Sequence, residues 1–107
     1  MKLKNILAVY AEPETKEDRL TINKVERTLG KLKARCNFVE KDELKKSYFK
    51  NKDLIITIGG DGTFLKTSHF INDKKLIFGV NSDVKMKEGF FLASNRKNFE
   101  AKINKIL

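Results

Sequence analysis

The 107 residues predict an α/β fold: a Rossmann-like, mainly parallel sheet with helices on both faces. Three observations carry that expectation. Short apolar runs of strand length alternate with helix-compatible segments, the pattern of βαβ units. One run, Leu54-Ile55-Ile56-Thr57-Ile58, is bounded by turn residues and reads as a buried strand. Two strands also run at their carboxyl ends into glycine-rich or polar segments, where open α/β sheets bind ligands.

The elements follow in order. Residues 3–10 form the first strand. Residues 14–34 form a helix in which Ile22, Val25, Leu29 and Leu32 repeat at spacings of three and four, one apolar stripe on a charged helix. Gly30 weakens its last turn. Strand two covers 35–39, and Asp42 can cap a short helix reaching Phe49. Strand three is 53–58, a helix spans 63–71, and strand four is 76–80. An extended piece lies near 89–92. Ser94 or Asn95 can cap a last helix in which Phe99, Ile103 and Ile106 share a face.

The chemistry concentrates in Gly59-Gly60-Asp61-Gly62-Thr63. Three glycines around one aspartate let the backbone turn tightly and approach a ligand, with amides free for phosphate oxygens. A carboxylate held among those amides is placed to take a proton from a hydroxyl beside a polyphosphate. The Walker loop is excluded, because Gly62 is followed by Thr63-Phe64 and not by Lys-Ser/Thr. The dinucleotide fingerprint is excluded by Leu65 where its third glycine belongs. An ordinary strand-to-helix turn is the bland alternative, but such a turn needs only one or two glycines and no flanked aspartate.

GGDGT marks the superfamily of NAD kinases, diacylglycerol and sphingosine kinases and, more distantly, phosphofructokinases. Downstream, Gly79-Val80-Asn81-Ser82-Asp83 and Gly89-Phe90-Phe91-Leu92 resemble the Gly-Val-Asn-Thr/Ser … Gly-Phe-Leu block of NAD kinases. The Pro-x-Gly-Thr-x-Asn-Asp element of the lipid kinases has no counterpart. The chain thus resembles the N-terminal domain of an NAD kinase over nearly its whole length. It departs from the family form where Asp83-Val84-Lys85-Met86-Lys87-Glu88 replaces an early glycine, as in the Gly-Val-Asn-Ser-Asp variant of divergent members.

The resemblance implies transfer of a phosphoryl group from ATP (or polyphosphate) to the 2′-hydroxyl of NAD, giving NADP, with Mg²⁺ brought by the nucleotide. Asp61 is then the general base. Gly59, Gly60, Gly62, Thr63 and Phe64 form the phosphate-binding segment, in which the amides of Gly60 and Gly62 and the hydroxyl of Thr63 hold phosphate oxygens, with the dipole of the following helix behind it. Lys66, one turn into that helix, stands where the family often has a basic residue, against the plain reading of a solvated lysine. Asn81, Ser82 and Asp83 are candidate nucleotide contacts. Asp83 and Glu88 can assist Mg²⁺, but no fixed ligand cluster is evident, so no metal site is assigned. His69, the sole histidine, has no ligand partners at metal spacing and reads as a structural or surface residue.

Composition limits the classes. The length suits one domain, 1–107, without the β-rich second domain expected of the family, which points to a domain or truncated form of low activity on its own. Hydrophobic residues at 40% and aromatics at 9% suit a folded protein. The charge of +9, from 23 basic and 14 acidic residues, is scattered and mixed, so it reads as a field attracting anionic nucleotides, not as a nucleic-acid surface. No apolar run approaches the roughly 20 residues of a membrane span. The amino-terminal segment reads as a strand and not a signal peptide, and one cysteine, Cys36, excludes an internal disulfide. A cytoplasmic protein, homo-oligomeric in a full-length form, is expected. A GGDGT-type lipid kinase and a non-catalytic nucleotide-binding module stay open beside the NAD kinase reading.

Overall fold

The computed structural model describes residues 5–32, 34–71, 75–87, 89 and 92–106. Five strands, β1 (Asn5–Tyr10), β2 (Arg35–Glu40), β3 (Leu54–Gly59), β4 (Leu76–Asn81) and β5 (Ser94–Asn95), form one sheet in the order β2-β1-β3-β4-β5. Every neighbouring pair is parallel. Three helices accompany them: α1 (Lys16–Gly30), α2 (Asp61–Ser68) and α3 (Phe99–Ile106). The expected parallel, doubly wound α/β architecture is therefore what forms.

Both faces of the central strands are covered, which is why β3 shows no in–out alternation: all six of its residues are buried. Ile6 and Ala8 of β1, Leu54, Ile56 and Ile58 of β3, and Phe78 and Val80 of β4 meet α1 through Val25 and Leu29 and α3 through Phe99 and Ile103. Phe99 stands edge-on to Phe78, centroids 6.0 Å apart at 66°. On the other face Leu7, Val9 and Ile55 pack with Phe49, and Phe70 stacks on Phe49 at 5.4 Å. Placing α1 and α2 on opposite faces follows from right-handed crossovers leading in opposite directions from the centre of the sheet.

Some boundaries differ from expectation for identifiable reasons. The first helix begins at Lys16 because Thr15 and Asp18 make a capping box, and it ends at Gly30, short of residue 34. Residues 42–49 form no single helix. They make two 3-10 turns, Lys41–Glu43 and Lys46–Phe49, separated by extended Leu44 and Lys45, and Glu40 rather than Asp42 supplies the first cap. This connection must cross β1 and return along the sheet, and extended residues span about twice the length per residue of a helix. The helix after the glycines opens at Asp61, not Thr63. The last strand lies at 94–95; of the extended piece proposed at 89–92, Phe90 and Phe91 fall outside the described residues. Asn95 does cap the turn leading into α3, its Oδ1 accepting from the amides of Lys97 at 2.9 Å and Asn98 at 3.2 Å.

Candidate functional site

In a 2-1-3-4-5 sheet the strand order reverses between β1 and β3, and their carboxyl ends flank a crevice. The glycine segment leaves β3 at that point. Gly59 is the last strand residue, Gly60 is the extended N-cap of α2, and Asp61 and Gly62 lie in its first turn. No described glycine has positive φ, so the glycines act by leaving space and not by adopting a left-handed turn. A Cβ on Gly59 would lie 2.6 Å from Thr63 Oγ1 and 3.3 Å from the Cβ of Ala11. On Gly62 it would meet nothing within 4 Å, because Gly62 faces outward at the mouth of the loop.

The amides opening α2 have no carbonyl one turn earlier within the helix, and the helix dipole adds a partial positive charge. Phe64 closes the first turn through its N–H to Gly60 O at 3.3 Å. Asp61 is half-buried at the helix start. Thr63 is buried, its side chain turned against Gly59. The hydroxyl expected to hold a phosphate oxygen is therefore packed against the end of β3 and not presented to solvent. Phe64 is half-buried and packs over Gly79, where an added Cβ would come within 3.0 Å of its ring. Lys66 reaches away from the loop to Asp42, Nζ to Oδ1 2.8 Å, and that ammonium's hydrogen bond holds the Asp42 carboxyl below its usual range. Both groups are well exposed, so the pair contributes little to stability.

Asn81, Ser82 and Asp83 arrive beside the glycines but are turned inward, each less than a tenth exposed. Ser82 N–H donates to Gly59 O at 3.1 Å, which fixes the end of β4 against the start of the loop. Ser82 Oγ donates to Asp18 Oδ1 at 2.7 Å, and Lys87 Nζ lies 3.1 Å from the same oxygen. Asp18 Oδ2 accepts from the amides of Glu14 (3.0 Å) and Thr15 (3.3 Å). Burial raises the Asp18 carboxyl, but these hydrogen bonds and the Lys87 charge outweigh it and bring it down to about 2. Thr15 Oγ1 donates to Asp83 Oδ2 at 2.8 Å, and Asn81 Oδ1 accepts from Asp83 N–H at 3.0 Å. Thr21 Oγ1 lies 2.8 Å from the carbonyls of both Glu17 and Ser82, with one proton to share between them.

Sequence reasoning missed Thr15, Asp18, Thr21 and Lys87. Thr15 followed three residues later by an acidic residue was a readable N-cap signal. Lys87 carried no signal, being one lysine among many. A cavity of about 280 Å³ lies against this network, lined by Glu17, Thr21, Asn81, Ser82, Arg96 and neighbours, with Arg96 bonded to Glu17 at 2.6 Å. The larger cleft, about 600 Å³, sits at the amino ends of β3 and β4 beside Phe49, Phe70 and Lys75, away from the glycines. We place the candidate site at the carboxyl ends because the loop amides and Asp61 are there. His69 is an exposed residue at the end of α2. Cys36 is partly buried against the core, and desolvation with Glu26 nearby pushes its thiol up to about 11, far from a reactive thiolate. Glu88 falls outside the described residues. Among the described residues no three His, Cys, Asp or Glu side chains gather as metal ligands, and no helix is long and apolar enough to cross a membrane.

The family model for the ATP-NAD kinase N-terminal domain matches residues 2–107. The chain belongs to the ATP-NAD kinase family. It is 35% identical over 74 residues to an NADH kinase of Arabidopsis thaliana, covering 69% of this chain and 23% of that protein. It is 58% identical over 31 residues to a probable NADH kinase of Oryza sativa subsp. japonica, covering 29% and 10%. The crystal structure of an NAD kinase from Archaeoglobus fulgidus in complex with ATP shares the fold, with a TM-score of 0.73 and 22% identity over 94% of this chain and 36% of that one. The chain thus spans under a quarter of the length of the curated relatives it matches.

Proposed function

We propose that these residues are the phosphate-binding, catalytic part of an NAD(H) kinase, which transfers the γ-phosphoryl group of ATP to the adenosine-ribose 2′-hydroxyl of the dinucleotide. The observation that carries this is Asp61 on the first helical residue after β3, between Gly60 and Gly62, at the switch point of a sheet of this family. Asp61 accepts the 2′-hydroxyl proton as that oxygen attacks phosphorus. The amides of Gly60, Gly62 and Thr63 hold phosphate oxygens, because phosphoryl transfer asks chiefly for positioning and charge stabilisation. The plant relatives are named for NADH, which favours the reduced dinucleotide as one acceptor.

The residues fit a Mg²⁺ delivered by ATP and not one caged by protein. Asp83 Oδ2 is occupied by the Thr15 hydroxyl and Oδ1 by the Lys85 amide at 3.3 Å. Asp61 is the carboxylate in the loop's own sequence, and Mg²⁺ commonly keeps most of its ligands from phosphate and water. Residues 1–107 act as one nucleotide-binding domain, and further dinucleotide contacts come from the β-rich domain expected of the family.

The test is Asp61→Asn in the longer protein. The amide keeps the size and part of the hydrogen bonding but cannot take the proton. NADP(H) formation should fall by about 10²–10⁴-fold, with thermal stability and ATP affinity nearly unchanged. Activity within a few-fold of wild type removes Asp61 as the base; a variant that unfolds makes it structural.

A further inference from the structure

We propose that Lys87 is a positioning residue for the glycine loop, acting through Ser82 and Asp18. Lys87 closes the connection between β4 and β5 with both its backbone and its side chain. Its N–H donates to Asp83 O at 2.9 Å, and its carbonyl accepts from Asn81 Nδ2 at 3.1 Å. Its ammonium, on a side chain only 21% exposed, lies 3.1 Å from Asp18 Oδ1 and 3.2 Å from Ser82 Oγ. Ser82 is the next link, since its N–H holds Gly59 O at 3.1 Å. An ammonium on the β4–β5 connection thus reaches the first residue of the glycine loop through one intervening residue, bonded to the Ser82 hydroxyl while the Ser82 N–H holds Gly59 O. The fit is tight on the far side as well, because a Cβ on Gly89 would lie 2.5 Å from Asn81 Nδ2.

Charge makes Lys87 hard to replace. The start of α1 carries Glu14, Glu17 and Asp18, and Asp83 reaches the same cap through Thr15. Glu17 is held by Arg96. Asp18 is almost fully buried, and Lys87 is the one cation within ion-pair distance of it among the described residues. Without that ammonium, two buried carboxylates bracket Thr15 with no cation between them. A buried charge that loses its partner destabilises its surroundings strongly. The strain falls on Ser82, which is bonded to Asp18 and to Gly59 at once. Breaking that joint leaves the sheet paired but frees the end of β4 from the loop.

The inference concerns loop geometry; its consequence for nucleotide affinity rests on reading Gly59–Thr63 as the phosphate site. The experiment compares amide hydrogen exchange in wild type, Lys87→Met and Lys87→Arg, then measures Mg·ATP affinity of each. Met keeps the length of the stem without the charge, whereas Arg restores a cation. In Lys87→Met, the hydrogen-bonded loop amides, Ser82 to Gly59 O and Phe64 to Gly60 O, should exchange about tenfold faster or more, with Ile6–Val9 of β1 changing far less. Lys87→Arg should recover most of the protection, and Mg·ATP affinity should follow the loop amides. A uniform rise across β1 and the loop would make Lys87 an ordinary stabiliser and overturn the proposal. So would an unchanged Ser82 amide. If the loop amides respond but wild type binds no ATP, the positioning role stands and the phosphate-site reading fails. Should Lys87→Met not fold, Ser82→Ala tests the same joint with the ion pair intact, and unaltered loop amides there would equally overturn it.

Discussion

Gly59 shows why a glycine can be required without a left-handed backbone. Its φ is ordinary, yet a methyl there would meet Thr63 Oγ1 at 2.6 Å and Thr63 Cβ at 3.0 Å. Those are atoms of a short, buried side chain on the first turn of α2, which cannot swing aside. Gly59→Ala should therefore cost about 1–3 kcal/mol by overpacking. The Gly59→Ala/Thr63→Ala pair should recover part of that loss relative to the sum of the single changes, because the 2.6 Å contact with Oγ1 goes while the Cβ contact at 3.0 Å stays. Urea denaturation of the four proteins gives the coupling; strictly additive effects would show that the loop relaxes without involving Thr63. At this scale the candidate site was half legible. The glycines, Asp61 and the polar strand end could be read in order along the chain. Lys87 and Asp18 could not, since their partnership spans 69 positions and depends on how α1 lies against β4.

At the scale of elements, legibility followed burial. β3 announces itself because its continuous apolar run is buried on both faces, and β4 because its apolar run leads into a buried end from Phe78 onward. The β2–β3 connection does not, because its shape is set by the distance it must cross and by Leu44, Tyr48 and Phe49 reaching the face that carries Leu7, Val9 and Ile55. The start of α1 combines local and long-range roles. Asp18 completes the capping box and also anchors Ser82 and Lys87. Its folded carboxyl, at about 2, lies below the ordinary 3.8. The stabilisation it supplies is therefore complete above the unfolded value and is lost as pH falls from about 4 through about 2. At 1.36 kcal/mol per pKa unit, this is ~2 kcal/mol. Asp18→Asn should be less stable at neutral pH and should show a flatter acid limb over that interval. Denaturant melts at several pH values distinguish the two, and parallel acid limbs would show that another carboxyl carries the dependence.

Across the whole molecule, the sheet is a platform with its chemistry on one rim. The central strands are covered on both faces by α1, α3, α2 and the 3-10 turns, so most of the apolar core lies away from the rim. Among the described residues, the glycine loop, the opening turn of α2 and the tied-down end of β4 form the floor of that rim. The proposed transfer between two nucleotides would need both substrates oriented and water excluded, and a floor supplies only part of that. The 107-residue chain alone should therefore unfold cooperatively yet make NADP(H) far below the roughly 1–100 per second typical of kinases. Mg·ATP should still bind weakly, detected as shifts of the Gly60–Thr63 amides. The decisive comparison is the same assay on a longer protein that also carries the β-rich domain expected of the family. If the short chain turns over at an ordinary kinase rate, the floor alone orients both substrates and the division of labour proposed here is wrong. If it binds ATP at those amides and turns over only when the longer chain is present, the rim is the phosphate half of a site completed from outside these residues.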